Sequence, residues 1–357
     1  MRKKINITLS TGLSEMGGIS TVINTLDNGH FQKWNVKHIA THTNDGSLFG
    51  FKKLFLFLSS ILKLIYFIAS REVGLVHIHM ASRGSYYRKS IIVRLVKAFR
   101  VKVVLHLHGA EFQHFYYNEC SNKTQLHIRQ TFNYADAVIV LSTQWHSWVT
   151  TILKDPSKAH IVYNAVETLD LDRSQTEQGR ILFLGRLGER KGVRDLIDAF
   201  AIVVKQLPNA RLALGGDGDI NTFKQQAENL GIRDSVDFLG WVSGSDKIAW
   251  LSKSDVYCLP SYNEGFPMGI LEAMSANVPV VASTVGGIPD AIESGVDGLL
   301  IEAGDVEKLA EHITALIIDR EMNKRLSSQA KRKFTNHFSQ QAVFPKLDLI
   351  YSDLTGE

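Results

Sequence analysis

Cysteine is nearly absent from this 357-residue chain, with only Cys120 and Cys258, far apart in sequence. Two such thiols offer neither a disulfide framework nor a zinc pattern, and a reducing cytoplasm is the compartment they suit. Prolines number seven and charged residues make up 21% of a chain that is 45% hydrophobic, so wholesale disorder is excluded. No apolar run reaches the ~20 residues that span a bilayer. The opening MRKKINITLS lacks an apolar stretch of signal length and reads as a first strand, Ile5 to Ser10. A nicotinamide fingerprint would need G-x-G-x-x-G at the first strand-to-helix turn, and residues 10–18 read STGLSEMGG. No ribonucleoprotein-type aromatic motif or zinc module is present, so nucleic acid is not an expected partner.

Acidic residues are missing from one long interval. Between Glu72 and Glu111 the chain carries Arg83, Arg88, Lys89, Arg94, Lys97, Arg100 and Lys102 and no carboxylate. Residues 1–166 hold 20 Lys+Arg and 8 Asp+Glu, a net +12, against 20 and 28, a net −8, in the remainder. Such an asymmetry implies that the first half meets an anionic surface or ligand. Upstream lies FGFKKLFLFLSSILKLIYFIAS, Phe49–Ser70, which Lys63 interrupts. It is either a core helix with one wet edge or an interfacial helix.

What is present is a regular alternation of short apolar runs and helical segments. The runs are Ile5–Ser10, Val36–Ala40, Leu75–Met80, Val101–His108, Ala137–Leu141 and His160–Val166, then Arg180–Gly185, Ala210–Gly215, Val236–Leu239, Val256–Leu259, Val278–Ser283 and Gly298–Ile301. The polar stretch Glu167–Gly179 separates the two sets and reads as a linker. The pattern predicts an α/β protein of two Rossmann-like parallel-sheet domains facing a central cleft, over residues 1–166 and 167–337. The tail 338–357, helical but for Pro345, should kink there and cross back to the first domain. Ligands of open parallel sheets sit beyond the carboxyl ends of strands, so the residues there carry the functional reading.

The richest of these places is Pro260–Val281, PSYNEGFPMGILEAMSANVPVV. Glu264 falls in the loop after a strand and Glu272 in the helix that follows, with Gly265, Phe266, Pro267, Met268 and Gly269 between them. A helix amino terminus offers free N–H groups and a partial positive charge, which makes it a phosphate cradle. A carboxylate one turn inside can accept from a ribose diol. In Ile181–Val193, ILFLGRLGERKGV, Arg186 and Lys191 follow a strand and suit a pyrophosphate leaving group. The pairs His77/His79 and His106/His108 each point to one strand face, but no carboxylate or thiol completes a metal site. Asp217-Gly218-Asp219 reads as a structural turn.

The series G-R-L-x-x-x-K-G, a Gly-Asp-Gly turn, E-G-F-P-x-x-x-x-E-A-M and the later GGIPD at Gly286–Asp290 resembles the retaining GT-B glycosyltransferases of family 4. The likeness extends over GDVEKLA at Gly304–Ala310 and, more loosely, over Gly17-Gly18 and HLHGAEF at His106–Phe112. It implies a retaining, metal-independent hexosyltransferase that moves a sugar from a nucleotide diphosphate donor, UDP foremost, to a lipid-linked saccharide of surface polysaccharide assembly. It implies no cofactor and a cytoplasmic enzyme, peripheral at the inner face of an anionic membrane. By the same resemblance Arg186 and Lys191 grip the diphosphate from one side and Gly17 and Gly18 from the other. Glu272 holds the ribose, and Glu264 with the backbone of Gly265–Gly269 contacts the sugar. Gly240, Trp241 and Val242 flank the base, and His108 lies near the transferred sugar. Glu111 faces the acceptor or merely starts a helix. Arg83, Arg88, Lys89, Arg94 and Lys97 supply an acceptor or membrane side. A nucleotide-sugar epimerase of the same architecture and a non-catalytic nucleotide-sugar or anionic-surface binding protein are the competing readings.

Overall fold

The computed structural model describes residues 5–12, 18–28, 34–43, 50–70 and 73–356. Among these residues twelve strands form two six-stranded sheets. The first contains β1 (Ile5–Thr11), β2 (Asn35–His42), β3 (Val73–Met80), β4 (Lys102–Leu107), β5 (Ala137–Val140) and β6 (Ala159–Ile161), in the order β2-β1-β3-β4-β5-β6. The second contains β7 (Arg180–Leu184), β8 (Arg211–Gly215), β9 (Val236–Gly240), β10 (Val256–Leu259), β11 (Val280–Ser283) and β12 (Leu299–Ile301), in the order β12-β11-β10-β7-β8-β9. Every strand pair is parallel. Crossover helices cover both faces of a parallel sheet, so its inner strands are buried and read as unbroken apolar runs, whereas the edge strands β2 and β9 are only partly buried. VYCL in β10 and AVIV in β5 are buried at all four positions.

The chain divides into two compact units, Met1–Ala165 with Gln340–Glu357, and Val166–Ser339. In the first unit the sheet packs with Tyr86, Phe112, Tyr116 and Phe132 into one apolar cluster. The terminal helix, Gln340–Thr355, belongs to this unit: the Trp34 indole N–H donates to Asp348 (3.1 Å), and Tyr351 lies 2.6 Å from His77 Nδ1. The helix does not restart at Pro345 but runs through it. Burial of Val343, Leu347, Ile350 and Tyr351 secures both sides of the one backbone bond that proline forgoes.

In the second unit Asp255 is fully buried and accepts from the Gly179 N–H (2.9 Å), the Arg320 guanidinium (2.7 Å) and the Asn323 amide (3.2 Å). Several donors are what make a buried carboxylate tolerable. The presumed linker is not slack. Arg173 donates to the carbonyls of Leu251 and Ser254, and the Leu169 N–H donates to Ser275, so Glu167–Gly179 is pinned to the second unit.

The helix Gly50–Ala69 buries only Phe57, Ser60, Leu64 and Ile68. Phe51, Leu54, Phe55, Leu58, Leu62 and Tyr66 are exposed, Phe51 by 80% and Tyr66 by 71%. It is a covering helix along one stripe and a bare apolar surface along another. Among the described residues no helix is long and apolar enough to cross a membrane.

Candidate active site

In the second unit the candidate residues gather beyond the carboxyl ends of β7 and β10. Glu264 and Glu272 are both buried, and each meets a lysine. Lys191 Nζ donates to Glu264 Oε1 at 2.6 Å, and the Ser261 hydroxyl donates to the same oxygen at 2.7 Å. Lys247 Nζ donates to Glu272 Oε1 at 2.5 Å. Burial raises the Glu272 carboxyl above its usual range even though Lys247 pulls it down. Glu264 is thus held by a lysine and a serine hydroxyl, and Glu272 by a lysine. Lys247, on the helix Gly244–Lys253, was not singled out by sequence reasoning. Nothing in IAW or GSDK flanking it marks it, since its significance comes only from facing Glu272.

Between the carboxylates the helix Met268–Ser275 begins after Pro267 with no side-chain cap, so its first N–H groups have no competing side-chain acceptor. Phe266 is buried with its ring centroid 5.4 Å from that of Phe338, which anchors the loop and leaves its backbone as the presentable surface. The loop is tied on both sides. Arg190 donates to the Asn263 carbonyl (2.9 Å), and the Gly287 N–H donates to the Gly265 carbonyl (2.9 Å). A Cβ at Gly286, where φ is +59°, would fall 1.9 Å from the Glu264 carbonyl oxygen. Glycine is thus required beneath Glu264 for packing. A Cβ at Gly269 would fall 2.1 Å from the Tyr257 hydroxyl, so that glycine answers to a neighbouring side chain, and room for a ligand is not its reason.

Arg186 is the open member of the group: its side chain is 73% exposed, and among the described residues its ion-pair partner is Asp217, at 3.9 Å. The loop carrying it is stitched to the turn after β8, where the Leu187 N–H donates to Asp217 and the Asp219 N–H to Leu187. Asp219 caps the helix Ile220–Asn229 by accepting from Thr222. The Asp-Gly-Asp turn accordingly serves the backbone. After β9, Gly240 accepts from the Gly216 N–H (2.6 Å), Val242 packs against Gly215 and Trp241 is exposed.

In the first unit, strand pairing joins the two histidine pairs that the sequence shows apart. His79 and His106 are in register on β3 and β4. His77 Nε2 lies 3.1 Å from His106 Nδ1, and His79 Nδ1 lies 2.7 Å from His108 Nε2, which makes a ladder from Tyr351 to the strand end. Burial depresses all four imidazoles, His77 and His108 to about 3, so they are neutral. One nitrogen from each of His77, His79 and His106 falls within 4.8 Å of the others, the one group among the described residues that could hold a metal ion.

Glu111 pairs with Arg83, which also binds Glu119, and both side chains stay partly exposed. The expected basic surface is largely dismantled. Lys89 is completely buried, Lys97 is paired with Asp136 (2.8 Å), Arg94 donates to Thr131 (2.9 Å), and Arg88 is half-buried. The reason is helical phase: in Gly84–Ala98, Lys89 falls on the same stripe as Tyr86, Val93 and Val96. Gly18 starts the helix Gly18–Asn28, and Gly17 lies outside the described residues.

The family model for glycosyl transferases group 1 matches residues 172–333, and that for Glycosyltransferase Family 4 matches residues 6–169. N-acetyl-alpha-D-glucosaminyl L-malate synthase of Bacillus anthracis is 29% identical over 304 residues, 80% of this chain and 77% of that protein. The capsular polysaccharide biosynthesis glycosyltransferase CapM of Staphylococcus aureus is 27% identical over 49% of this chain and 46% of its own. The crystal structure of HepE from Anabaena in complex with UDP and glucose shares the fold, with a TM-score of 0.77 over 98% of this chain and 99% of that one at 20% identity. With one model on each six-stranded sheet, and both sets of motifs in place on them, the chain belongs to the GT-B glycosyltransferases of family 4.

Proposed function

We propose that this glycosyltransferase moves a hexose, with retention and without a divalent ion, from a UDP-linked donor to a lipid-linked saccharide acceptor at a membrane surface. The observation that carries the donor half is the pair Glu264 and Glu272, buried on either side of an uncapped helix start and each held by a lysine. In this reading the helix N–H groups and the cations Arg186 and Lys191 receive the diphosphate. Lys191 then exchanges its bond to Glu264 for a phosphate oxygen, and the freed carboxylate accepts a hydroxyl of the sugar. Glu272 accepts the ribose diol. Charge growing on the leaving diphosphate is met by groups already in position, which is where such a site gains rate. Cations supplied by the chain make a metal unnecessary at the diphosphate. HepE, solved with UDP and glucose, supports the choice of uridine, and CapM the polysaccharide setting.

The bare apolar face of Gly50–Ala69, with Lys52 and Lys63 exposed on the same helix, supports a membrane-borne acceptor. Such a helix lies in the interface by burying its apolar side. The functional test is incubation with UDP-sugars and a lipid-linked saccharide extract, with release of UDP measured. Acceptor-dependent release supports transfer. Sugar interconversion without acceptor supports an epimerase and refutes it.

A further inference from the structure

Four helices of the first unit cover one face of its sheet. Leu64 of Gly50–Ala69, Val96 of Gly84–Ala98, Phe132 of Asn122–Tyr134 and Trp148 of Thr143–Ile152 join one apolar cluster with Ile78 of β3 and Leu105 of β4. Chain handedness puts them there. The steps from β2 to β3, β3 to β4, β4 to β5 and β5 to β6 all run the same way across the sheet, and right-handed crossovers then share one side. The terminal helix covers the opposite face, where Tyr351 meets His77, whose side chain alternates with that of Ile78 along β3.

The outer side of this helical layer is apolar and basic. Besides the bare stripe of Gly50–Ala69, the helix Gly84–Ala98 exposes Tyr87 and Ile91, one turn apart, and Phe99 at its end; Asn122–Tyr134 exposes Leu126 and Tyr134. The Arg94 guanidinium lies 5.4 Å from the Tyr134 ring, which joins the two helices at the surface. On Thr143–Ile152 the exposed residues are Thr143, Gln144, Ser147 and Thr151, so the apolar surface stops at Asn122–Tyr134. The eight Asp and Glu of residues 1–166 all fall outside the four helices, which hold Lys52, Lys63, Lys123 and Arg129 exposed.

Single exposed apolar residues need no explanation, but three helices of one layer each turning an apolar stripe outward do. Tyrosines, aliphatic side chains and cations interspersed on one broad surface match the headgroup region of an anionic bilayer. Tyrosine rings sit at that interface, and Lys and Arg reach lipid phosphates while their stems lie on apolar area. A second copy of the chain matches poorly, because two such faces would bring like charges together.

We propose that the layer from Gly50–Ala69 to Asn122–Tyr134, and not one helix, rests on the anionic surface of a membrane with the sheet parallel to it. The strands then run along the bilayer, and their carboxyl ends, where ligands of open sheets bind, open along the surface. This widens the membrane contact proposed for Gly50–Ala69 and does not rest on the transfer reaction.

The test is co-sedimentation of the full chain, without donor or acceptor, with vesicles of equal parts phosphatidylglycerol and phosphatidylcholine. Ile91→Glu with Leu126→Glu alters exposed positions only and leaves Gly50–Ala69 intact, so the thermal midpoint should hold while binding weakens about tenfold or more. A bimane label at Ile91→Cys, in a Cys120→Ser background, should shift to the blue when vesicles are added. The same label at Leu349→Cys, exposed on the terminal helix, should not. Unchanged binding by Ile91→Glu with Leu126→Glu, or no shift at Ile91→Cys, overturns the proposal and leaves Gly50–Ala69 as the lipid contact. Equal binding to pure phosphatidylcholine overturns it as well. Self-association in the ultracentrifuge that Ile91→Glu with Leu126→Glu abolishes assigns the layer to a second copy and overturns it too. UDP release with a detergent-borne acceptor is measured separately, so failure of transfer and failure of this contact are told apart.

Discussion

Mild acid should destabilise the first unit through its histidine ladder, at a pH where carboxylates are still ionised. His77 and His108 sit at about 3 in the folded protein and near 6.5 when unfolded. Both are depressed groups that fold neutral, so their stability is complete above pH 6.5 and is lost as the pH falls toward 3. At pH 5.5 an unfolded imidazole is about ten-elevenths protonated, which favours the unfolded chain by about 1.4 kcal/mol per histidine. The two together cost about 3 kcal/mol, against a total stability of about 5–15 kcal/mol. His79 and His106 shift in the same direction and add to the loss. Glu272 acts oppositely, because a raised carboxyl gains stability as the pH falls, but only toward the carboxylate range and in the other unit. Urea unfolding followed by tryptophan emission at pH 7.5, 6.5 and 5.5 reads the effect, with Trp34, Trp145 and Trp148 buried in the affected unit. His77→Gln keeps a hydrogen-bonding partner for Tyr351 and should shrink the pH dependence by about 1.4 kcal/mol, one histidine's share. An unfolding midpoint unchanged between pH 7.5 and 5.5 would refute the reasoning, since it would require these imidazoles to be charged inside the sheet.

At the donor site, Glu272→Ala should weaken nucleoside diphosphate binding by about tenfold to a hundredfold, the loss of a charged hydrogen bond of about 1.5–3 kcal/mol. Glu264→Ala should chiefly lower turnover, and calorimetry with steady-state rates separates the two. Activity should persist in EDTA; complete loss restored by manganese would return Asp217 and Asp219 to consideration as ligands. NMR of fresh product should show the donor's anomeric configuration preserved, and an inverted product would end the retaining assignment. Phe55→Ser with Leu62→Ser should abolish sedimentation with vesicles in a salt-insensitive way, whereas Lys52→Gln with Lys63→Gln should weaken it by about 1 kcal/mol per cation and only on anionic lipid. Equal sedimentation by all variants would mean that the exposed face of Gly50–Ala69 meets something other than lipid.

The inner strands could be read from the chain because strands of a doubly covered parallel sheet are apolar at consecutive positions, and a short unbroken run such as AVIV or VYCL is local information. The spacing of Glu264 and Glu272 was legible for a similar reason: a loop, a helix start and one turn fix their separation whatever surrounds them. Partners contributed by other elements were not. Lys247 comes to Glu272 from a helix 25 positions earlier, and nothing in its own neighbourhood distinguishes it from a solvated lysine. The histidine pairs became one ladder only through the register of β3 on β4, which no single strand encodes. The basic stretch misled most. Charge composition suggested a surface, but the phase of Gly84–Ala98 turned Lys89 inward and left Arg88 half-buried, and Arg94 and Lys97 found partners on neighbouring elements. Composition and period belong to the chain alone; which side of a helix is dry, and what stands opposite a charge, is decided when elements distant in sequence pack together.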